Sequence, residues 1–168
     1  MKVKLNTGIS EVDQAKVAAE LNKVLANVYV SFVQARNFHW NVVGKQFGDL
    51  HVKFKELYEI LDGMGDDVAE RVRALDNVPV ATMAEWVALA SIKEVSSTAK
   101  VLSAEEMVVV MVSDLEAIVT SMRELCDDAG GEDNTTELEC DEATETMLGA
   151  QMLDLEKQNY QLLKPYIF

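Results

Sequence analysis

The chain is poor in several residue types, and each shortage excludes something. Of its 168 residues only two are histidine, two cysteine, two proline and eight glycine. So few prolines and glycines leave little to interrupt a regular backbone. Ala, Leu, Val, Met, Glu and Lys dominate, so the intrinsic preference is helical. Cys126 and Cys140 match neither a CxxC pair nor a zinc-finger spacing. A reducing cytoplasm would keep them as free thiols, with a bridge across the connecting loop as the alternative. No apolar run approaches the ~20 residues of a membrane span, and the longest, Met107 to Val112, is far shorter. Met1-Lys2-Val3-Lys4-Leu5-Asn6 meets a polar residue almost at once, unlike a secretion signal. A cytoplasmic chain with no membrane partner is expected.

Positive charge is also scarce. Fifteen Lys and Arg stand against 29 Asp and Glu, for a formal net charge of −14. Ten of the acids fall between Glu124 and Glu145, where there is no Lys or Arg. Non-specific DNA affinity comes from basic side chains displacing counterions at phosphates, so such a chain repels nucleic acid. The acidic run itself is either a solvated loop and helix start or a cation-attracting entrance.

What is present is apolar periodicity. The length suits one domain over 1–168, with room for a core. A first helix is expected from about Glu11 to Phe38, opened by Ser10 and Asp13 in a variant capping box. Its stripe includes Val12, Ala15, Ala18, Leu21, Leu25, Val28 and Phe32. Gly44 and Gly48 mark a break. A second helix is expected from about Phe47 to Leu75, with Leu50, Phe54, Leu57, Leu61, Met64, Val68 and Val72 on its apolar face, and Pro79 beyond its end. Ala81 to Ala90, containing Trp86, forms a short amphipathic piece crossing between two helical hairpins. Ser103 and Glu106 open a third helix to about Cys126, ended by Ala129-Gly130-Gly131. Asn134-Thr135-Thr136 precedes a fourth, running to Lys164, where Pro165 stops it. The expected fold class is all-α: a ferritin-like four-helix bundle with a short extra helix in the crossover between the second and third helices, with another helical bundle as the alternative.

The two histidines share a short frame with two carboxylates one helical turn apart. Asp66 and Glu70 are an i,i+4 pair on one face of the second helix, close enough to grip one cation. An isolated pair of this kind is more often a solvated acidic face. His51 lies 15 residues before Asp66 on the same helix, about 22 Å away at 1.5 Å per residue. His39 approaches His51 across the glycine-containing turn. One chain therefore offers a two-imidazole half-site and a two-carboxylate half-site that cannot meet. A two-fold axis packing two copies antiparallel would bring His39 and His51 of one copy onto Asp66 and Glu70 of the other, making two equal sites. Nitrogen and oxygen donors of this type suit Fe(II) or Zn(II). The bland reading is two partly buried, hydrogen-bonded histidines.

His39-Trp40-Asn41-x-x-Gly44, Leu50-His51 and Asp66-x-Val68-Ala69-Glu70-Arg71 resemble the signature of the Dps proteins, the mini-ferritins named as DNA-binding proteins from starved cells. Pro79-Val80-Ala81-Thr82-Met83-Ala84-Glu85-Trp86 is similar to that family's short crossover helix. The resemblance implies a hollow dodecamer of tetrahedral symmetry built from two-fold dimers. It implies ferroxidase centres at the dimer interface, with His39 and His51 from one subunit and Asp66 and Glu70 from its partner as catalytic and metal ligands. The resemblance further implies that Fe(II) is oxidised to Fe(III), with hydrogen peroxide or dioxygen as oxidant, and that ferric mineral is stored, protecting against oxidative stress. Zinc is a possible substitute at the centre. Trp40 falls where the family often has an aromatic near the iron, intercepting stray oxidising equivalents; packing at the dimer interface is its plainer role.

Two departures stand out. The family commonly carries an acid one turn after the second histidine, and here that residue is Lys55. An ammonium has no lone pair to give a metal, so one firm metal position and a weak second one are expected, with Asp62 as a further candidate carboxylate. The second departure is the lack of Lys- and Arg-rich tails, from which no appreciable DNA binding is expected. The competing readings are a non-enzymatic shell or interaction protein with a weakened second iron site, and a nucleoid protein, which the charge opposes.

Overall fold

In this computed structural model the described residues are 7–99, 101–130 and 141–167. They form α1 (Glu11–Asn41), α2 (Phe47–Ala74), α3 (Met83–Leu89), α4 (Ala104–Gly130) and α5 (Glu142–Lys157), then a π-helical segment and a short 3-10 turn. There is no strand among the described residues. The four long helices and the short crossover helix are those read from the periodicity.

α1 is the central element, packing against α2, α3 and α4. Ser10 caps it, its hydroxyl accepting from the Asp13 amide at 3.2 Å. α2 has a simpler division. Leu50, Phe54, Leu57, Leu61, Met64, Val68 and Val72 form one buried stripe, each worth about 1.5–3 kcal/mol when fully buried. The opposite stripe, through Lys55, Glu59, Asp62, Asp66 and Glu70, is exposed. Phe38 of α1 meets Phe54 of α2 with ring centroids 5.8 Å apart.

The ends of the elements carry local instructions. Gly44 takes φ +107° in the α1–α2 turn, a conformation costly for any side chain. Gly48 does not share that role, since it lies inside α2. α2 stops in a Schellman arrangement: Asp76 adopts φ 56°, while the amides of Asp76 and Asn77 donate to the carbonyls of Arg73 and Val72. Thr82 and Glu85 form a full capping box on α3, and Ser103 and Glu106 form the one expected on α4.

Two boundaries differ from expectation. α4 continues past Cys126 to Gly130, which belongs to the Ala129-Gly130-Gly131 stretch expected to end it. The final helix begins at Glu142 with Asp141 as its cap; Asn134-Thr135-Thr136 lie outside the described residues. It ceases to be α-helical after Lys157, short of Lys164. Gln158–Leu163 is π-helical, a widening that inserts an extra residue per turn and re-aims the chain beyond it. Asn159 turns inward, its amide donating to the Val112 carbonyl at 3.3 Å, while Tyr160 faces out. Pro165 sits within the closing 3-10 turn.

Candidate metal centre

The last turn of α1 leaves carbonyls without intrahelical donors. One of them, the His39 carbonyl, accepts from Nδ1 of His51 at 2.8 Å. The reverse bond is also present: Nδ1 of His39 donates to the His51 carbonyl at 2.6 Å. The two imidazoles stack with centroids 3.8 Å apart and planes 25° from parallel. A carbonyl oxygen can only accept, so each Nδ1 must carry the proton. In the neutral imidazole each Nε2 then keeps a lone pair. Metal-ligating histidines are commonly oriented by such a bond from the other ring nitrogen, so the pair is compatible with that role.

Aromatic and cationic groups surround the pair. Tyr58 stands edge-on to His39 at 5.5 Å, and Phe47 flanks His51 at 5.0 Å. The Arg36 guanidinium lies 5.3–5.4 Å from the ring centres of Phe32, Trp40 and Tyr58. Arg36 and Tyr58 were not singled out from the sequence, although helical spacing offered a signal: Arg36 is one turn before His39 and Tyr58 two turns after His51. Trp40 is 67% exposed, so within one chain it is not a packed core residue.

The carboxylates are arranged otherwise. Asp62, Asp66 and Glu70 project from the exposed stripe of α2, and among the described residues none of them forms an ion pair. They stay on the far part of α2 from the imidazoles, and among the described residues no group of three His, Cys, Asp or Glu converges as a metal site. Within one chain the structure brings His39 to His51, and does not bring either to Asp66 or Glu70.

Lys55 is exposed and its ammonium is held by Glu59 one turn further on. The hydrogen bond it donates to Glu59 raises the Lys55 pKa above the ordinary amine value, outweighing an opposing effect of burial. Lys55 is a full cation, one turn after His51 on the same helix.

The acidic run is only partly a solvated face. Asp141 is 2% exposed, because the Arg71 fork reaches it at 2.7 Å and reaches Thr144 Oγ1 at 2.8 Å. Burial acts to raise the Asp141 carboxyl, but hydrogen bonds from Arg71 and Thr144 outweigh it and hold the pKa below the usual value. Asp141 therefore locks the start of α5 to the end of α2, one residue beyond Glu70, and is withdrawn from any cation entrance. Glu142 is exposed and Glu145 half-buried; Glu137 and Glu139 lie outside the described residues. Cys126 is a free, half-buried thiol, its pKa raised by burial and then by Glu145 and Asp127. Cys140 lies outside the described residues.

Known proteins share this architecture. The ferritin-like domain family matches residues 18–163. A DNA protection during starvation protein from Brevibacillus brevis is 41% identical over 149 residues, spanning 89% of this chain and 93% of the relative. A Dps crystal structure from Bacillus brevis superposes with a TM-score of 0.83 at 38% identity, covering all of both chains. This chain belongs to the Dps family. A further Dps structure, from Vibrio cholerae O1, has a TM-score of 0.86 at 25% identity over 100% of this chain and 99% of that one. That neighbour is described as a member of a broad superfamily of ferritin-like diiron-carboxylate proteins. In this Dps-family chain no described helix is long and apolar enough to cross a membrane.

Proposed function

We propose that this Dps-family protein is an iron-oxidising, iron-storing mini-ferritin that works as a hollow dodecamer in the cytoplasm and protects against oxidative stress. The observation that carries the reading is the reciprocal imidazole–carbonyl pair, which requires a proton on both Nδ1 atoms and leaves the Nε2 lone pair of each ring available. Those donors need carboxylates that their own chain cannot bring. Asp66 and Glu70 of a two-fold partner would supply them, completing a site for the substrate Fe(II).

Each group then has a task. His39 and His51 hold Fe(II) with neutral nitrogen donors already oriented by the backbone. Asp66 and Glu70 add two negative charges. Anionic oxygen stabilises the harder, more highly charged Fe(III) more than Fe(II), so the pair lowers the barrier to oxidation. With hydrogen peroxide as oxidant, two Fe(II), one peroxide and two protons give two Fe(III) and two waters, and no hydroxyl radical is released. Ferric product hydrolyses and mineralises on the acidic interior. Zinc fits the same donor set and would act as an occupant that blocks turnover.

Lys55 makes this centre asymmetric. A cation in the second position meets an ammonium in place of a carboxylate, so that position is weak or transient. The same residue supports a second reading: the shell is retained and the chemistry is lost. Anaerobic Fe(II) loading and then peroxide, watched at the ferric absorbance, separates the two. A fast phase that is abolished by His39→Ala and by Asp66→Asn is the expected result. No fast phase in the wild-type protein would favour the inert shell. The net charge of −14 leads to no DNA retention at moderate salt, which a gel shift checks directly.

A further inference from the structure

Tyr29 of α1 lies against the carboxylate half-site, and no motif pointed to it. Its ring lies flat on the indole of Trp86 in α3, with centroids 4.1 Å apart and planes 11° from parallel. It meets Phe32 edge-on at 6.1 Å. Trp86 is itself held, its Nε1–H donating to the Val80 carbonyl at 3.0 Å. The far edge of the Tyr29 ring rests on α2 at Gly65. A Cβ at Gly65 would stand 2.9 Å from Cε2, 3.0 Å from Cζ and 3.3 Å from the hydroxyl oxygen of Tyr29. A side chain there would push the ring away. Glycine inside a helix is unfavourable, and here it permits a close approach.

Gly65 lies between two of the exposed acids. Asp62 is one turn before it and Asp66 is the next residue. The Gly65 contact sets the phenol oxygen on α2 one residue from Asp66 and one turn from Asp62. Among the described residues the phenol has no hydrogen-bond partner, and neither acid has an ion pair. A stacked phenol with an unused O–H thus stands on α2 next to exposed carboxylates that no ion pair holds.

We propose that Tyr29 is a positioning residue for the carboxylate half-site, its phenol O–H donating to the Asp66 carboxylate and fixing the oxygen offered to the cation, with Trp86 and Gly65 fixing the phenol. A neutral donor suits this role. An Arg or Lys would bring a positive charge that competes with the metal, whereas a phenol occupies one lone pair and leaves the others. Partners of this kind set metal affinity by roughly 10–100-fold. The inference rests on the reading of Asp66 and Glu70 as cation ligands.

The test uses the full-length assembled protein and Co(II), a spectroscopically visible ion that accepts nitrogen and oxygen donors. Tyr29→Phe keeps the ring stack and removes only the hydroxyl. It should weaken Co(II) binding about tenfold and change the visible spectrum of the bound ion, with melting temperature and near-UV dichroism unchanged. For Fe(II) oxidation it should raise KM more than it lowers kcat. Gly65→Ala should do more, with a change in Trp86 fluorescence as the stack shifts. Wild-type and Tyr29→Phe proteins that bind Co(II) equally, with the same spectrum, would overturn this inference and leave the iron reading standing. A wild-type protein that binds no Co(II) would overturn both.

Discussion

At one end of α2, His51 has its work arranged within the chain. Its ring nitrogen is tied to the His39 carbonyl, its own carbonyl is tied to the His39 ring, and the rings stack. At the other end, Asp66 and Glu70 stand in solvent with no partner among the described residues. The stable parts of that second region are the neighbours: Arg71, turned away into the Asp141–Thr144 lock, and Gly65, carrying the Tyr29 ring. The difference separates two ways of presenting a polar side chain. Imidazoles are oriented by hydrogen bonds that also stabilise the fold. The carboxylates are left uncompensated, and the contacts at this end are made by the helix beneath them, through Arg71 and Gly65. On the function proposed above, such a half-site would gain its value when a cation and a partner arrive.

The largest expected effect comes from loosening the support under the carboxylate end. Arg71→Ala leaves a buried carboxylate without its charged partner and should cost about 3 kcal/mol of stability by denaturant unfolding. The pH dependence should change with it. The folded pKa of Asp141 is below its unfolded value, so its contribution is present above the unfolded pKa and is lost as pH falls through the folded one. Acid unfolding that is unaltered by Arg71→Ala would show that the lock does not hold this end.

The scaffold of the imidazole end contains an acid whose pKa moves the other way. Asp114 of α4 is 7% exposed and receives one hydrogen bond, from the Gln34 amide at 2.8 Å. Gln34 in turn accepts from the Val95 amide of the crossover at 2.8 Å. Burial pushes the Asp114 carboxyl up from 3.8 to about 6, with the Gln34 bond opposing it. The folded state therefore binds this proton more tightly, and stability falls as pH rises between those two values. Asp114→Asn keeps an acceptor for Gln34 and removes the buried charge. It should stabilise the protein by about 2 kcal/mol at neutral pH, with the gain vanishing near pH 4. A variant equal to or weaker than wild type at pH 7.5 would contradict this.

The smallest effect lies between the two ends. Lys55→Asp replaces an ammonium with a carboxylate one turn after His51. It should tighten a second metal position roughly tenfold and raise the iron bound per centre. Titration with unchanged stoichiometry and unchanged oxidation rate would show that Lys55 is not what weakens that position.

Much of this architecture was legible along the chain. The α2 stripe from Leu50 to Val72 comes from spacing alone, because an α-helix repeats every 3.6 residues. The Ser103–Glu106 box marked the start of α4, since a cap is a local bond between near neighbours. The incompatibility of His51 with Asp66 in one chain is likewise a matter of helix rise. Other features were not legible because they join residues far apart in sequence. Asp141 reads as one more solvated acid until Arg71 stands opposite it. The final helix reads as continuous to Pro165, but its change of register is tied to Asn159 meeting the Val112 carbonyl across the bundle.

By itself, then, the order of residues determined four long helices, a short crossover helix, and the types and spacings of the candidate ligands. These depend on backbone geometry and on contacts within a turn or two. Only the tertiary structure decided which imidazole nitrogen carries the proton, which acid is buried and which is offered to solvent, and that a tyrosine lies on Gly65. Those outcomes depend on which groups meet across helices, and the energy of a charge or a hydrogen bond is set by what stands opposite it.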